Sequence, residues 1–200
     1  LKSIKKSTGG CAGVARDCYH MSIEFDIAIV GSGPSGLSAA ARAAQKGISH
    51  ILLETNDHAS DTIFKFQKRK FVMATPDVMP LRSDVSFSAG TREEILDKWD
   101  QEIEHQKINI SYDSEVIEIS GEKGNFSLKV KGGRTIRASH VVLSIGMQGN
   151  LRKLDVEGDD WEGVQYQLDD PEEYEDETII VVGAGDAAIE NAVALAAQNR

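Results

Sequence analysis

Residues 25–54 read FDIAIV-GSGPSG-LSAAARAAQKGI-SHILLE, and the rest of the chain is arranged around them. Phe25 to Val30 is an apolar run bounded by glycine, the pattern of a strand buried on both faces. Gly31, Gly33 and Gly36 follow in G-x-G-x-x-G spacing. In such a loop the first glycine permits a tight turn. The second lets the backbone approach a pyrophosphate, and the third lets helix and strand pack closely. Pro34 falls at the start of the expected helix, Ser35 to Lys46, where a missing N–H costs nothing. Leu37, Ala39, Ala40, Ala43 and Ala44 keep that helix flat against a sheet, and Gly47 is placed to cap it. A second apolar run, Ile51 to Leu53, ends on Glu54. Its carboxylate stands about 20 residues beyond the loop, where a ribose hydroxyl pair needs an acceptor.

Bulk properties narrow the classes. With 22 Lys and Arg against 32 Asp and Glu, the 200-residue chain carries a formal charge of −10. That balance argues against nucleic acid or an anionic membrane surface as partner, because both call for basic patches. No apolar run approaches the length of a transmembrane helix, and no signal-peptide core opens the chain. Two cysteines are too few for a disulfide framework, so a cytoplasmic setting is expected. The chain begins with Leu1 and stops at Arg200 inside a helical pattern, which reads as a piece of a longer protein, inactive on its own.

Outward from the opening unit, residues 1–22 carry no helix or strand period and read as a linker or upstream tail. Cys11 and Cys18 there, near His20, lack the further ligand or C-x-x-C pair that a metal or cluster needs. The aromatic and basic run FKFQKRKF, Phe64 to Phe71, admits two readings. It is a solvated loop with its phenylalanines turned inward, or a loop passing a bound cofactor. Thr91 and Glu94 form a capping box, and Ile95, Trp99 and Ile103 mark the buried face of the helix it opens. Short strands are expected at Ile108 to Ile110, Val116 to Ile119, and across Phe126, Leu128 and Val130. Gly132-Gly133 marks a two-residue hairpin turn into Thr135 to Arg137, completing an inserted antiparallel β-meander. A separate strand, His140 to Ser144, returns to the parallel sheet.

About half of residues 155–177 are acidic, the composition of a solvated connector, with Trp161 and Tyr166 as its anchors. Thr178 to Val182 reads as a second buried strand. It leads into Gly183-Ala-Gly185-Asp186-Ala187-Ala188 and an alanine-rich helix, a G-x-G-x-x-A loop that implies a second nucleotide. The domains are expected to divide into a first at 23–150 and the start of a second at 151–200. The five histidines have no metal-ligand or triad spacing, so a surface role is their default, and no catalytic side chain or metal site is assigned.

Taken together, GSGPSG with Glu54, the meander, the strand ending at Gly146, and GAGDAAIE resemble the flavoproteins with two dinucleotide-binding domains, in particular the thioredoxin-reductase-like branch. The resemblance covers about Phe25 to Arg200. It implies an α/β fold: a Rossmann-like FAD-binding domain with an inserted meander, then the start of a second Rossmann-like domain for NAD(P)H. By this likeness Ser32, Gly33, Pro34 and Ser35 line the FAD pyrophosphate, and Glu54 holds the adenosine ribose. Val116 meets adenine through its backbone, and Ser144 to Gly146 replace the A-T-G turn of such proteins. Gly183, Gly185, Asp186 and Ala187 approach the phosphates of NAD(P)H. The resemblance implies an oxidoreductase that passes a hydride from NAD(P)H to FAD and on to a small molecule or redox protein. It leaves room for a homodimer. The C-x-x-C pair of thioredoxin reductases is replaced here by Tyr166-Gln-Leu-Asp169, so reduction of a disulfide by that route is excluded within the chain. Two alternatives stand beside this reading: a flavin-dependent monooxygenase, and a cofactor-binding or electron-relay module of a larger fusion.

Overall fold

The computed structural model describes residues 24–74, 83–147 and 152–198. Its elements in chain order begin with β1 (Phe25–Val30), α1 (Pro34–Gln45), β2 (His50–Leu53), α2 (Asp61–Phe64) and β3 (Phe71–Val72). There follow β4 (Gly90–Thr91), α3 (Arg92–His105), β5 (Ile110–Ser111), β6 (Val116–Glu122), β7 (Asn125–Val130) and β8 (Thr135–Leu143). A single 3₁₀ turn at Pro171–Glu173 and α4 (Asp186–Gln198) complete the described chain. Six strands form one sheet in the order β5-β2-β1-β8-β7-β6, with β3 and β4 paired separately. β1 lies between β2 and β8 and runs parallel to both. The mixed α/β architecture, with a meander carried on a parallel sheet, is the one the motifs imply.

Alternation along β1 builds two cores. Ile27 and Ile29 face a cluster with Leu37, Ala40 and Ala41 of α1 and Ile95, Trp99 and Ile103 of α3. Ala28 and Val30 face Leu128, Val130, Ile136 and Ala138 of the meander. Fully burying one such large aliphatic side chain contributes about 1.5–3 kcal/mol, which is why a strand with apolar residues on both faces takes the centre. The small residues of α1 allow its close approach. The helix stops where expected: Gly47, at φ +63°, donates to Ala44 O, and Ile48 donates to Ala43 O, a Schellman end. The capping box of α3 is also present, with Glu94 N–H donating to Thr91 Oγ1 and Thr91 N–H to Glu94 Oε2.

β8 is one continuous strand rather than the two expected. Its first half pairs antiparallel with β7 and its second half parallel with β1, and Ala138 faces both Phe126 and Phe25. Ser139 and His140 are polar and interrupt the apolar pattern, but strand geometry tolerates polar residues where a face is partly solvated. The Gly132-Gly133 turn is wider than a two-residue one, because Val130 N–H closes on Arg134 O; both glycines sit at positive φ.

Thr178 to Val182 does not form a strand. Ile180 is 85 % exposed and Val182 67 %. A strand is stabilised by the ladder beside it, and no described residue pairs with this run. Trp161, expected as an anchor, is 68 % exposed, whereas Tyr166 does anchor, its hydroxyl accepting from Leu154 N–H at 3.0 Å. His50 departs from the surface default: it is buried, its Nδ1 on Ile48 O and its Nε2 accepting from Asn109 N–H. Residues 1–22, with Cys11 and Cys18, and the boundary expected near Asn150 lie outside the described residues.

Candidate functional site

The site is built on the turn from β1 into α1. Gly31 N–H donates to Leu53 O, and Ser144 N–H donates to Val30 O, both at 2.8 Å, so the turn is tied to the ends of β2 and β8. Gly31 has φ +95°, and a Cβ there would stand 2.5 Å from Ser144 O. At Gly36 a Cβ would collide with the carbonyl oxygen of Gly31. The first glycine is thus required by the turn and the third by close packing. At Gly33, by contrast, nothing lies within 4 Å of the Cβ position. The open side of the cradle is therefore at the middle glycine, where an anionic group would approach.

Helix α1 points its N-terminus into this opening. Gly33 is its N-cap, no side chain caps it, Pro34 takes the first helical position, and its first turn holds no acid. The first N–H groups of a helix lack internal partners, and with the helix dipole they favour an anion. Ser35 and Gly36 lie in that turn. A dinucleotide pyrophosphate fits such a cradle in shape and in charge.

Glu54 stands beside it, only 6 % exposed at the end of β2. Its Oε2 accepts from Ser32 N–H at 2.9 Å and from Ser32 Oγ at 2.5 Å. Its Oε1 accepts from Asn56 N–H at 3.0 Å and from Asn56 Nδ2 at 3.1 Å. Ser32 is fully buried, so its side chain serves Glu54 while its backbone shapes the turn. Ser60, in the left-handed region at φ 60°, closes over Ser32: its N–H donates to Ser32 O at 3.2 Å. The loop from Asn56 to Ser60 is thereby fastened to the glycine turn.

Val116 opens β6, which is far from β2 in sheet order, yet the connecting loop brings it near. Ser114 N–H donates to Glu54 O at 2.7 Å, and Asp113 N–H to Asn56 O at 3.1 Å. Tyr112 lies in the same loop, and burial, then the charges of Asp100 and Glu54, push its phenol up. Ser144 touches the first and third glycines of the turn, and Gly146 follows at φ +64°. The structure therefore gathers Gly31 to Gly36, Glu54 and Ser144 around one opening, with Val116 two residues beyond Glu54's neighbour Ser114.

Gly183, Gly185, Asp186 and Ala187 sit on the second glycine loop. Gly183 takes φ +130°, and Asp186 is the first residue of α4, so the turn and helix of this motif form. An acid at the start of α4 partly neutralises the helix end that is left bare in α1.

What the sequence reading missed is how the second part is fastened to the first. Within FKFQKRKF, Lys68 Nζ meets Asp170 Oδ2 at 2.8 Å, and Arg69 Nη2 meets Asp170 Oδ1 at 2.9 Å and Glu172 Oε1 at 3.2 Å. Lys70 Nζ reaches Glu190 Oε2 of α4 at 2.6 Å. The hydrogen bond from Lys68, then the Glu172 N–H and Arg69, hold the Asp170 carboxyl down at about 2. The expectation that its phenylalanines turn inward holds only for Phe66, which packs on the core, while Phe64 and Phe71 are exposed. The available signal was a run of four cations facing a chain segment that is half acidic. Beside the latch lies a cavity of about 400 Å³ lined by Asn56, His58, Phe64, Phe66, Arg92 and Gln167. His58 stacks on Phe64 with ring centroids 3.7 Å apart, and the Arg92 guanidinium lies 4.9 Å from the Phe64 ring centroid.

Among the described residues no group of three or more His, Cys, Asp or Glu could hold a metal ion, and no helix is long and apolar enough to cross a membrane. A family model described as pyridine nucleotide-disulphide oxidoreductase matches residues 28–200. The chain is 30 % identical to a ferredoxin–NADP reductase of Picrophilus torridus, over 86 % of this chain and 51 % of that protein. It is 24 % identical to a thioredoxin reductase of Peptoclostridium litorale, over 86 % and 50 % respectively. It spans about half the length of these curated relatives. In fold it is similar to a bacillithiol disulfide reductase from Staphylococcus aureus, with a TM-score of 0.76 at 21 % identity, covering 89 % of this chain and 55 % of that one. It is also similar to a thioredoxin reductase of Lactococcus lactis, with a TM-score of 0.69 at 20 % identity, covering 88 % and 54 %.

Proposed function

We propose, for a chain that belongs to the pyridine nucleotide-disulphide oxidoreductase family, the role of an FAD-dependent oxidoreductase that takes a hydride from NAD(P)H and passes electrons to a small molecule or a redox protein. The observation that carries this is the cradle itself: an uncapped helix N-terminus, an open middle glycine and a buried carboxylate, all at one sheet end. FAD, when bound, supplies the two-electron chemistry; the protein binds and aligns it. In this reading the α1 N–H groups hold the pyrophosphate and Glu54 accepts from the adenosine ribose. The domain before residue 150 is the FAD domain, and residues 151–200 begin the NAD(P)H domain. Ferredoxin–NADP reductase and thioredoxin reductase, the names of the relatives, support the two-cofactor reading. Tyr166 to Asp169 hold no cysteine, so an internal dithiol relay at that place is not part of it. A cytoplasmic location goes with the reading, supported by the two cysteines.

The test is spectroscopic. The full-length protein should purify with a flavin absorption band that NAD(P)H bleaches. Glu54→Ala should weaken FAD binding by roughly tenfold or more, the worth of a charge-assisted hydrogen bond. A protein that takes up no flavin, or a variant with unchanged affinity, would contradict the assignment.

A further inference from the structure

Glu54 accepts four hydrogen bonds from its own chain. A carboxylate offers about four lone-pair sites, and Ser32 N–H, Ser32 Oγ, Asn56 N–H and Asn56 Nδ2 each point to one of its oxygens. A ribose diol brings two more donors to the same group. Six donors exceed about four sites, so at least one protein donor has to yield before even one hydroxyl is accepted.

Three of the four are not free to do so. Ser32 N–H belongs to the glycine turn, tied to β2 and β8. Ser32 Oγ is fully buried and itself accepts from Ser60 N–H at 3.3 Å. Asn56 N–H is fixed by its backbone, whose carbonyl accepts from Asp113 N–H. The Asn56 amide alone is a partly buried side chain with rotatable torsions, and it borders the cavity of about 400 Å³ shared with His58 and Phe64. It has somewhere to go.

We propose that the Asn56 side chain is a placeholder for a ribose hydroxyl: it occupies and orients Glu54 Oε1 in the free protein and turns into the neighbouring cavity when a dinucleotide binds. The proposal rests on the FAD reading above and deepens it. A placeholder stabilises the free state and not the bound one, so removing it shifts the balance toward the ligand.

The experiment strips flavin from the full-length protein and titrates it with FAD, following quenching of flavin fluorescence. Asn56→Ala should bind FAD more tightly by about tenfold or more, the worth of one hydrogen bond to a charged group, while the thermal midpoint of its flavin-free form falls. Asn56→Ser, with a shorter donor, should lie between the two and serves if the alanine variant does not fold. Weaker or unchanged FAD affinity in the variants would overturn the proposal, since it would mean that the amide stays on Glu54 in the complex. A wild-type protein that binds no FAD would instead bring down the functional reading itself.

Discussion

Gly31 to Gly36 follow a strand whose neighbours on both sides are in place; Gly183 to Ala188 follow four apolar residues, Ile179 to Val182, with no partner strand among those described. The letters are nearly the same, and so are the turn and the helix they produce. The difference lies in the strand. A glycine turn and a helix are local structures, set by φ preferences and by hydrogen bonds a few residues apart. A strand is completed only by chain that lies elsewhere. The fingerprint therefore specifies half of its own unit, and the surroundings specify the other half.

The sharpest way to break this contrast is to supply the surroundings. In a protein extending beyond Arg200 to the length of the relatives, Ile179 to Val182 should become a strand protected like Ile27 to Val30. Amide hydrogen exchange would slow by about a thousandfold or more relative to the 200-residue chain, because core amides open only with most of the global stability. Equal exchange in both lengths would mean that the run is an exposed loop by design.

A second test compares the loops by substitution. Gly36→Ala pushes a methyl into the Gly31 carbonyl, with rigid backbone on both sides. It should cost roughly 3 kcal/mol, at the upper end of overpacking, and lower the unfolding midpoint in urea accordingly. Gly185→Ala has nothing within 4 Å and no positive φ, so it should change stability by less than about 0.5 kcal/mol.

The smallest effect concerns the latch that joins the two regions. Asp170 is held below its ordinary value of 3.8, down to about 2. A lowered carboxyl stabilises the state in which it is charged, so the latch is complete above the ordinary value and is lost as pH falls through about 2. Asp170→Asn should remove that pH dependence and raise exchange at Gln167 to Glu173 severalfold at neutral pH. The glycine cradle should stay untouched. Exchange at Gln167 to Glu173 that is no faster in the variant would show that Tyr166 alone secures the connector.

Much of this was legible in the chain itself. Gly36, Gly47 and the Thr91 capping box were readable because each depends on residues close in sequence, and Gly31 and the buried face of Trp99 because local spacing marks them whatever they meet. The elements misjudged depend on distant ones. β8 was read as two strands, Thr135 to Arg137 and His140 to Ser144, with Ala138 and Ser139 left between them, and only pairing with both β7 and β1 makes it continuous. Asp170 meets Lys68 across 102 positions, and charge runs do not announce which opposite charge they meet. Asn56 was missed because asparagine after a strand ordinarily signals a turn. Its grip on Glu54 appears only once both are placed.

The pairing of β1 with β8 has a consequence for how this protein is made. Asp26 and His140 touch across 114 positions. On a ribosome adding about 5–20 residues per second, the central strand therefore waits on the order of ten seconds for one of its neighbours. Throughout that interval β1 carries a bare apolar edge, a template for any other strand nearby. Shortened versions ending before Leu143 would keep that edge for good, and should collect in inclusion bodies while chains that reach Ser144 stay in solution.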